Sequence, residues 1–291
     1  MNPALTVVGL VYFELIVPMG AVRLGQESFT ERLDAAIGGA FTPAWVAHAL
    51  GLSTLLVHPT GDGLTDRAAA LRIADLGLAS RRWRGRDDTA VSLVLTAADD
   101  RAFVSAADFA ALAACPELDG PGWIHVPGLR EARELRPRLA AARARGAQIS
   151  VGGSWAVDEL DELVRSRPPW DLLLLNEVEA ERAAGSIEDA LDRLAPVAPG
   201  VIVTRGARGA VGVVRGERFM VSARPAEVHN ATGAGDAFAA GFLAAYARGA
   251  GPRRAAELGC EVAARRLAAT ERQRLDPRLY ADLAERTCHS G

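Results

Sequence analysis

Lysine is absent from this chain: all 33 basic residues are arginine. A Walker-type phosphate loop needs a lysine to reach the phosphates, so that class of nucleotide site is excluded. Cysteine is scarce. Cys115, Cys260 and Cys288 are far apart and odd in number, and no Cys-x-x-Cys pair or Cys/His cluster occurs. A disulfide framework and a zinc site are therefore not expected, and reduced thiols in a cytoplasmic protein are. The five histidines share no metal-ligand spacing and receive no chemical role. A dominant charge is lacking too. A formal net charge of -3 leaves no electrostatic footprint for nucleic acid or an anionic membrane. The apolar run Thr6 to Val22 is broken by Glu14 and lacks a basic leader or small-residue cleavage site. It is too short to cross a bilayer and reads as strands.

Hydrophobic residues make up 49% of the 291 positions, enough core for one large α/β domain or two small ones. Leu5 to Val17 is β-rich, and Gly38-Gly39, Pro43 and Gly51 bracket a short helix. A strand over Ser53 to Val57, a turn at Gly61 to Gly63 and a helix from about Thr65 to Leu76 follow. Ala90 to Leu95 and Arg101 to Ser105 form two β-like runs around a turn at Ala98 to Asp100. Short apolar strands then alternate with helices. Trp123 to Val126, Gln148 to Val151, Leu172 to Leu175 and Val201 to Thr204 are the strands. Helices are expected near Arg130 to Arg145, where Pro137 starts or kinks a segment, and over Ala156 to Arg165. After two further β-like runs come Ala-rich helices near Gly235 to Arg248 and Pro252 to Ala268. This alternation predicts a parallel, three-layer α/β/α sheet. The β segments near residues 12–37 and 84–105 do not fit it and predict a small separate sheet serving as a lid. With no repeat or linker, residues 1–291 read as one domain carrying that insertion.

The stretch Asn230 to Arg248 carries the most chemistry. Phe238, Phe242, Leu243 and Tyr246 recur at helical spacing, so Gly233-Ala234-Gly235 feeds a helix N-terminus. The amides there lack intrahelical partners, the helix dipole is positive, and glycines let an anion approach closely. Asp236, in the first turn, can accept a hydroxyl proton while the amides stabilise a migrating phosphoryl group. Taken alone, a tight loop followed by an N-terminal acid accounts for the motif equally well. A dinucleotide fingerprint fits poorly, because Phe238 stands where its third glycine belongs and the segment lies late in the chain.

Thr232-Gly-Ala-Gly-Asp-Ala-Phe-Ala-Ala-Gly-Phe242 closely resembles the C-terminal signature of the ribokinase-like (PfkB) carbohydrate kinase family. Gly38-Gly39 resembles the family's di-glycine signature and Gly61-Asp62-Gly63 its later Gly-Asp turn. Asn176-Glu177-Val178-Glu179 is similar to its Asn-x-x-Glu motif, and Val203 to Ala210 to its nucleotide-side strand and glycine turn. The resemblance runs over nearly the whole chain and implies a ribokinase-like three-layer α/β/α sandwich with a β-lid.

It also implies an ATP-dependent kinase acting on a hydroxyl of a small sugar-like acceptor, with Mg²⁺. Asp236 takes the role of general base and meets the substrate, and the backbone of Gly233, Ala234 and Gly235 that of anion hole. Asn176 lies near the phosphates, and Glu179 organises Mg²⁺ and its waters. Thr204, Gly206, Gly209 and Thr232 border the nucleotide, with adenine between Arg224 to Ala226 and the helix near Cys260. Read without the family, Asn176 and Glu179 are a helix N-terminus with its cap, and Gly206 to Gly209 an ordinary turn. Glu14 stands where the family's first-strand aspartate grips the acceptor, and the resemblance also implies Gly38 and Gly39 as acceptor-binding positions.

Two further departures bear on the acceptor. Pro43 stands near a position where many members place an asparagine, removing a polar contact. Gly152-Gly153-Ser154 lacks a common acid. Phe41 and Trp45 add aromatic surface nearby, with core packing the preferred reading. Asn230 replaces the aspartate that begins the signature, which predicts weak or absent potassium dependence. A nucleoside kinase and a non-catalytic sugar or nucleotide sensor remain the competing readings. A homodimer through the lid is expected, since open strand edges invite partners.

Overall fold

The computed structural model describes residues 2–22, 24–31, 33–97, 101–154, 170–196 and 198–288. The predicted turn at Ala98 to Asp100 and the predicted helix over Ala156 to Arg165 lie outside these residues.

Two sheets are present. The larger contains β1 (Leu5–Val8), β4 (Thr54–Thr60), β5 (Ser80–Arg84), β8 (Trp123–Val126), β9 (Gln148–Gly152), β10 (Leu172–Asn176), β11 (Gly200–Thr204), β12 (Ala210–Val214) and β13 (Glu217–Val221). Their order is β13-β12-β11-β10-β9-β8-β1-β4-β5. The seven strands from β11 to β5 pair in parallel, while β12 and β13 add an antiparallel hairpin at one edge. The sheet is therefore mixed, not wholly parallel. The two β-like runs after residue 209 are joined at Arg215-Gly216, too few residues for the crossover a parallel pair needs.

Alternate side chains of the central strands divide between two cores. Leu5, Val7, Leu172, Leu174 and Ile202 face one, together with α1 (Phe41–Ala49), α2 (Leu64–Asp75), α7 (Ala234–Tyr246) and α8 (Pro252–Ala268). Val8, Leu173, Leu175, Val201 and Val203 face the other, under α3 (Leu129–Glu134), α4 (Arg136–Ala144), α5 (Glu177–Ala184) and α6 (Ile187–Leu194). Period-two side chains buried on both faces are what make these strands continuous apolar runs. The helical stretch expected over 130–145 breaks at Leu135, with Pro137 in the first turn of α4.

The second sheet, in order β3-β2-β6-β7, contains β2 (Val11–Pro18), β3 (Asp34–Gly39), β6 (Ala90–Thr96) and β7 (Arg101–Ala107). The stretch read as one β-rich segment thus divides at Gly9-Leu10 between the two sheets. Glu14 lies on β2 of the small sheet, within the segment expected to form the lid. Arg84, the start of the second expected lid segment, closes β5 at the edge of the large sheet. α9 (Ala281–Cys288) ends the described chain. Among the described residues, no helix is long and apolar enough to cross a membrane.

Candidate active site

The site lies where the parallel strands end. Asn176 and Thr204 are register partners at the carboxyl ends of β10 and β11, and Gly153 donates its amide to the Leu174 carbonyl at 2.9 Å beside them. A crevice outside the carboxyl ends of such strands is where open α/β sheets bind ligands.

Helix α7 enters this edge. Gly233 caps it with φ 73° and ψ 15°, a left-handed conformation that L-residues avoid, so glycine is required. A Cβ there would also stand 2.8 Å from Nε of Arg266. The helix is locked beneath the sheet by a close crossing with α8: a Cβ on Gly241 would lie 3.0 Å from Cα of Gly259. Asp236 occupies the first turn and is only partly exposed. Burial pushes its carboxyl up to about 6; the Arg266 guanidinium opposes this and the Glu179 carboxylate adds to it.

Glu14 reaches the same neighbourhood from the small sheet. It is 8% exposed, and burial pushes it up to about 7, with Arg266 opposing and Asp236 and Glu271 adding. Its carboxylate occupies the space a side chain at position 38 would need, since a Cβ on Gly38 would lie 2.0 Å from Glu14 Oε1. Gly39, at φ 63°, then turns the chain into α1. Phe41, Pro43 and Trp45 are buried in α1, so the aromatic pair packs the core.

Asn176 and Glu179 form a capping box at the start of α5. Asn176 Oδ1 accepts the Glu179 amide at 2.8 Å, and Glu179 Oε2 accepts the Asn176 amide at 2.9 Å. The capping alternative is thus realised, a contribution of about 1 kcal/mol. Glu179 is 3% exposed, and Gly153 leaves room for it, as a Cβ there would stand 2.2 Å from Oε2. Among the described residues no group of three or more His, Cys, Asp or Glu could hold a metal ion directly.

Thr204 ends β11, and Gly206 to Arg208 form a single 3₁₀ turn. Gly206 and Gly209 have φ of 54° and 85°. Arg208 pairs with Glu177 of α5, tying this turn to the Asn176 helix. Arg224 lies within electrostatic range of Cys260: burial pushes the Cys260 thiol up to about 11, and the Arg224 guanidinium opposes this. The expected adenine-flanking segments are therefore close in space.

A family model described as pfkB family carbohydrate kinase matches residues 36–275, more than half of the chain. The chain belongs to the pfkB carbohydrate kinase family. The nucleoside kinase of Methanothermobacter thermautotrophicus is 33% identical over 112 residues, which are 38% of this chain and only 36% of that protein. Among solved structures, Burkholderia thailandensis nucleoside kinase in complex with inosine superposes with a TM-score of 0.78 at 20% identity, covering 96% of this chain and 97% of that one. Arabidopsis thaliana ribokinase complexed with ribose and ATP gives 0.75 at 19%, covering 98% and 99%. At such identities these likenesses establish the ribokinase-like fold.

Within this pfkB-family fold, three buried charged groups at the site had escaped sequence reasoning. Glu131 of α3 accepts the Leu10 amide at 2.7 Å, and burial pushes it up to about 8. It joins α3 to the chain between the two sheets, beside Ser154, a non-glycine residue at φ 46°. Arg266 continues the buried face of α8 marked by Ala255, Gly259 and Val262. A charge on an apolar helical face was its available signal. Arg274, in the 3₁₀ turn Gln273–Leu275, sits in a polar run and offered none.

Proposed function

We propose that this chain transfers the γ-phosphoryl group of ATP to a hydroxyl of a small sugar or nucleoside. The arrangement that supports this is Asp236 in the first turn of α7, directly after a left-handed Gly233, at the carboxyl edge of the sheet. In this reading the acceptor hydroxyl hydrogen-bonds to Asp236, which takes its proton as the oxygen attacks the γ-phosphorus. The amides of Gly233, Ala234 and Gly235 receive the charge spreading over the transferring oxygens. Glu14 orients the acceptor from above, with Gly38 and Gly39 as bare backbone beside it. Thr204, Gly206, Gly209 and Thr232 border the nucleotide.

Asn176 and Glu179 fit an outer role toward Mg²⁺. Committed to their capping box, with Glu179 buried, they would hold waters of an ion carried by the phosphates, which when bound neutralises phosphate charge. The small sheet carries Glu14 and is read as the lid, and residues 1–291 as one kinase domain of a cytoplasmic protein. Exposed Phe103 and Val104 on its edge strand β7 support pairing with a second copy.

A nucleoside is the favoured acceptor. Residues 152–154 offer no acid, and Pro43 is buried in α1, so side-chain partners for a polyhydroxyl sugar are few. The nucleoside kinase relative points the same way. The test is ADP formation with ribose, fructose, ketogluconate, adenosine, inosine and pseudouridine. Acceptor-dependent ADP release with a nucleoside is expected; none with any compound would refute the kinase reading.

The pH profile follows from Asp236. A base must be ionised to act, and a carboxyl at about 6 loses its proton as pH rises through that value. The free-enzyme kcat/KM should therefore climb about tenfold per pH unit below 6 and level off above about 7. A profile flat from pH 5 to 7 would exclude this base.

A further inference from the structure

Beneath the proposed anion hole lies a buried guanidinium that the reaction above does not use. Arg274 is 2% exposed. Its Nε donates to the Arg266 carbonyl at 3.1 Å. Of its terminal nitrogens, Nη1 donates to the Thr232 carbonyl at 3.5 Å and to Glu271 Oε1 at 2.8 Å, and Nη2 to the Asn230 carbonyl. Arg266 adds a second donor to the Thr232 carbonyl, from Nε at 3.3 Å. Asn230 completes the ring: its Nδ2 donates to Glu271 Oε1 at 2.8 Å, and its Oδ1 accepts the Thr232 amide at 2.8 Å. From below, Trp45 Nε1 donates to the Arg274 carbonyl at 2.9 Å.

A buried cation is expensive, and an apolar plug would fill the same space more cheaply if packing were the sole requirement. The partners chosen are informative. Three are backbone carbonyls, and two of those, on Asn230 and Thr232, belong to the strand of chain that runs into Gly233. Among the described residues there are no cis peptide bonds. In a trans peptide the carbonyl of one residue and the amide of the next point in opposite directions. Pulling the Asn230 and Thr232 carbonyls toward the arginines therefore turns the Ala231 and Gly233 amides away from them. The Gly233 amide is the first donor of the proposed anion hole.

We propose that Arg274 is a positioning residue for phosphoryl transfer, a built-in cation whose grip on the Asn230 and Thr232 carbonyls fixes the peptide planes of the anion-hole loop. This rests on the reading that the Gly233 to Gly235 amides receive the phosphoryl group. Burial, with the Arg266 charge adding to it, pulls Arg274 down to about 10, so it stays charged at neutral pH. The ring of carbonyl oxygens is also of the type that coordinates a dehydrated monovalent cation. Here the guanidinium already holds those oxygens, which supplies a structural cause for the weak potassium dependence expected from Asn230.

The experiment is Arg274→Gln, checked for a cooperative thermal melt and assayed with ATP and acceptor. The expected result is a kcat about 30-fold lower, the scale of a disturbed oxyanion-type donor, with both KM values within about threefold. Added guanidinium or potassium, at non-denaturing concentrations, should restore about tenfold of that loss and leave the parent unchanged. A kcat within about threefold of the parent, or a loss that neither cation repairs, would overturn the proposal. Should the variant not fold, the parent decides. Exchanging sodium for potassium should change its rate by less than about twofold, and any larger activation would overturn the proposal by showing the carbonyls to be available. The two readings fail separately. Retained turnover in Asp236→Asn removes the catalytic reading beneath it, whereas its loss there with full turnover in Arg274→Gln removes this inference alone.

Discussion

Asp236→Asn is expected to lower kcat on the order of 10³-fold or more while leaving ATP affinity within about threefold. Asparagine keeps the shape of the side chain but cannot take a proton at the rate-determining moment. The hydroxyl must then lose its proton to water, and about 4 kcal/mol of barrier lowering is lost. Binding should survive because the groups proposed to hold the nucleotide, the Gly206 to Gly209 turn and the amides of Gly233 to Gly235, are not touched by the substitution. Stability should, if anything, rise slightly, since burial already pushes this carboxyl up to about 6 and an amide carries no charge to desolvate. A single-turnover assay beside an ATP titration separates the two effects. A rate within tenfold of the parent would remove Asp236 from the chemistry. The same pair of measurements separates the kinase from a non-catalytic sensor, which would bind ligand without turnover whichever residue stands at 236.

Gly233→Ala is expected to be nearly as damaging, for a reason of shape. The new Cβ would occupy a φ of 73° and meet Arg266 Nε at 2.8 Å. The conformational penalty alone is about 1–3 kcal/mol. Relief requires either a rotated 232–233 peptide or a displaced Arg266, and both disturb the helix mouth. One lost or misdirected donor of this kind is worth on the order of 10²-fold in rate. The variant should therefore melt a few degrees lower and turn over about 100-fold more slowly, with acceptor binding little changed. Full activity with a lowered melting temperature would make Gly233 a folding residue and nothing more.

How much of this was legible in the sequence depends on how local each feature is. Leu172 to Leu175 declares itself because a strand buried on both faces has no polar position. The helix carrying Asp236 does so because its glycines and first-turn acid lie within five residues. By contrast, the passage from β1 to β2 crosses Gly9-Leu10 without a polar residue, so nothing in the apolar pattern marks a change of sheet. That hid the point at which the chain passes from one sheet to the other, although Glu14 itself fell within the segment expected to form the lid. Strand β5, Ser-Arg-Arg-Trp-Arg, is an edge strand with alternating exposure, and its arginines obscure the β signal. Asn176 and Glu179 were open to two readings because a capping box and a phosphate-side motif use the same residue types. The capping bonds are present, and the strand register puts Asn176 opposite Thr204. Glu131, Arg266 and Arg274 reach the site from elements distant in the chain, where only tertiary structure brings them together.

The most direct test of the central claim is a crystal structure with a non-hydrolysable ATP analogue and the acceptor identified by the substrate panel. The γ-phosphate should rest on the amides of Gly233 to Gly235, with one acceptor hydroxyl within hydrogen-bonding distance of the Asp236 carboxylate. A nucleotide tail bound away from the mouth of α7, or an acceptor with no hydroxyl near Asp236, would contradict it.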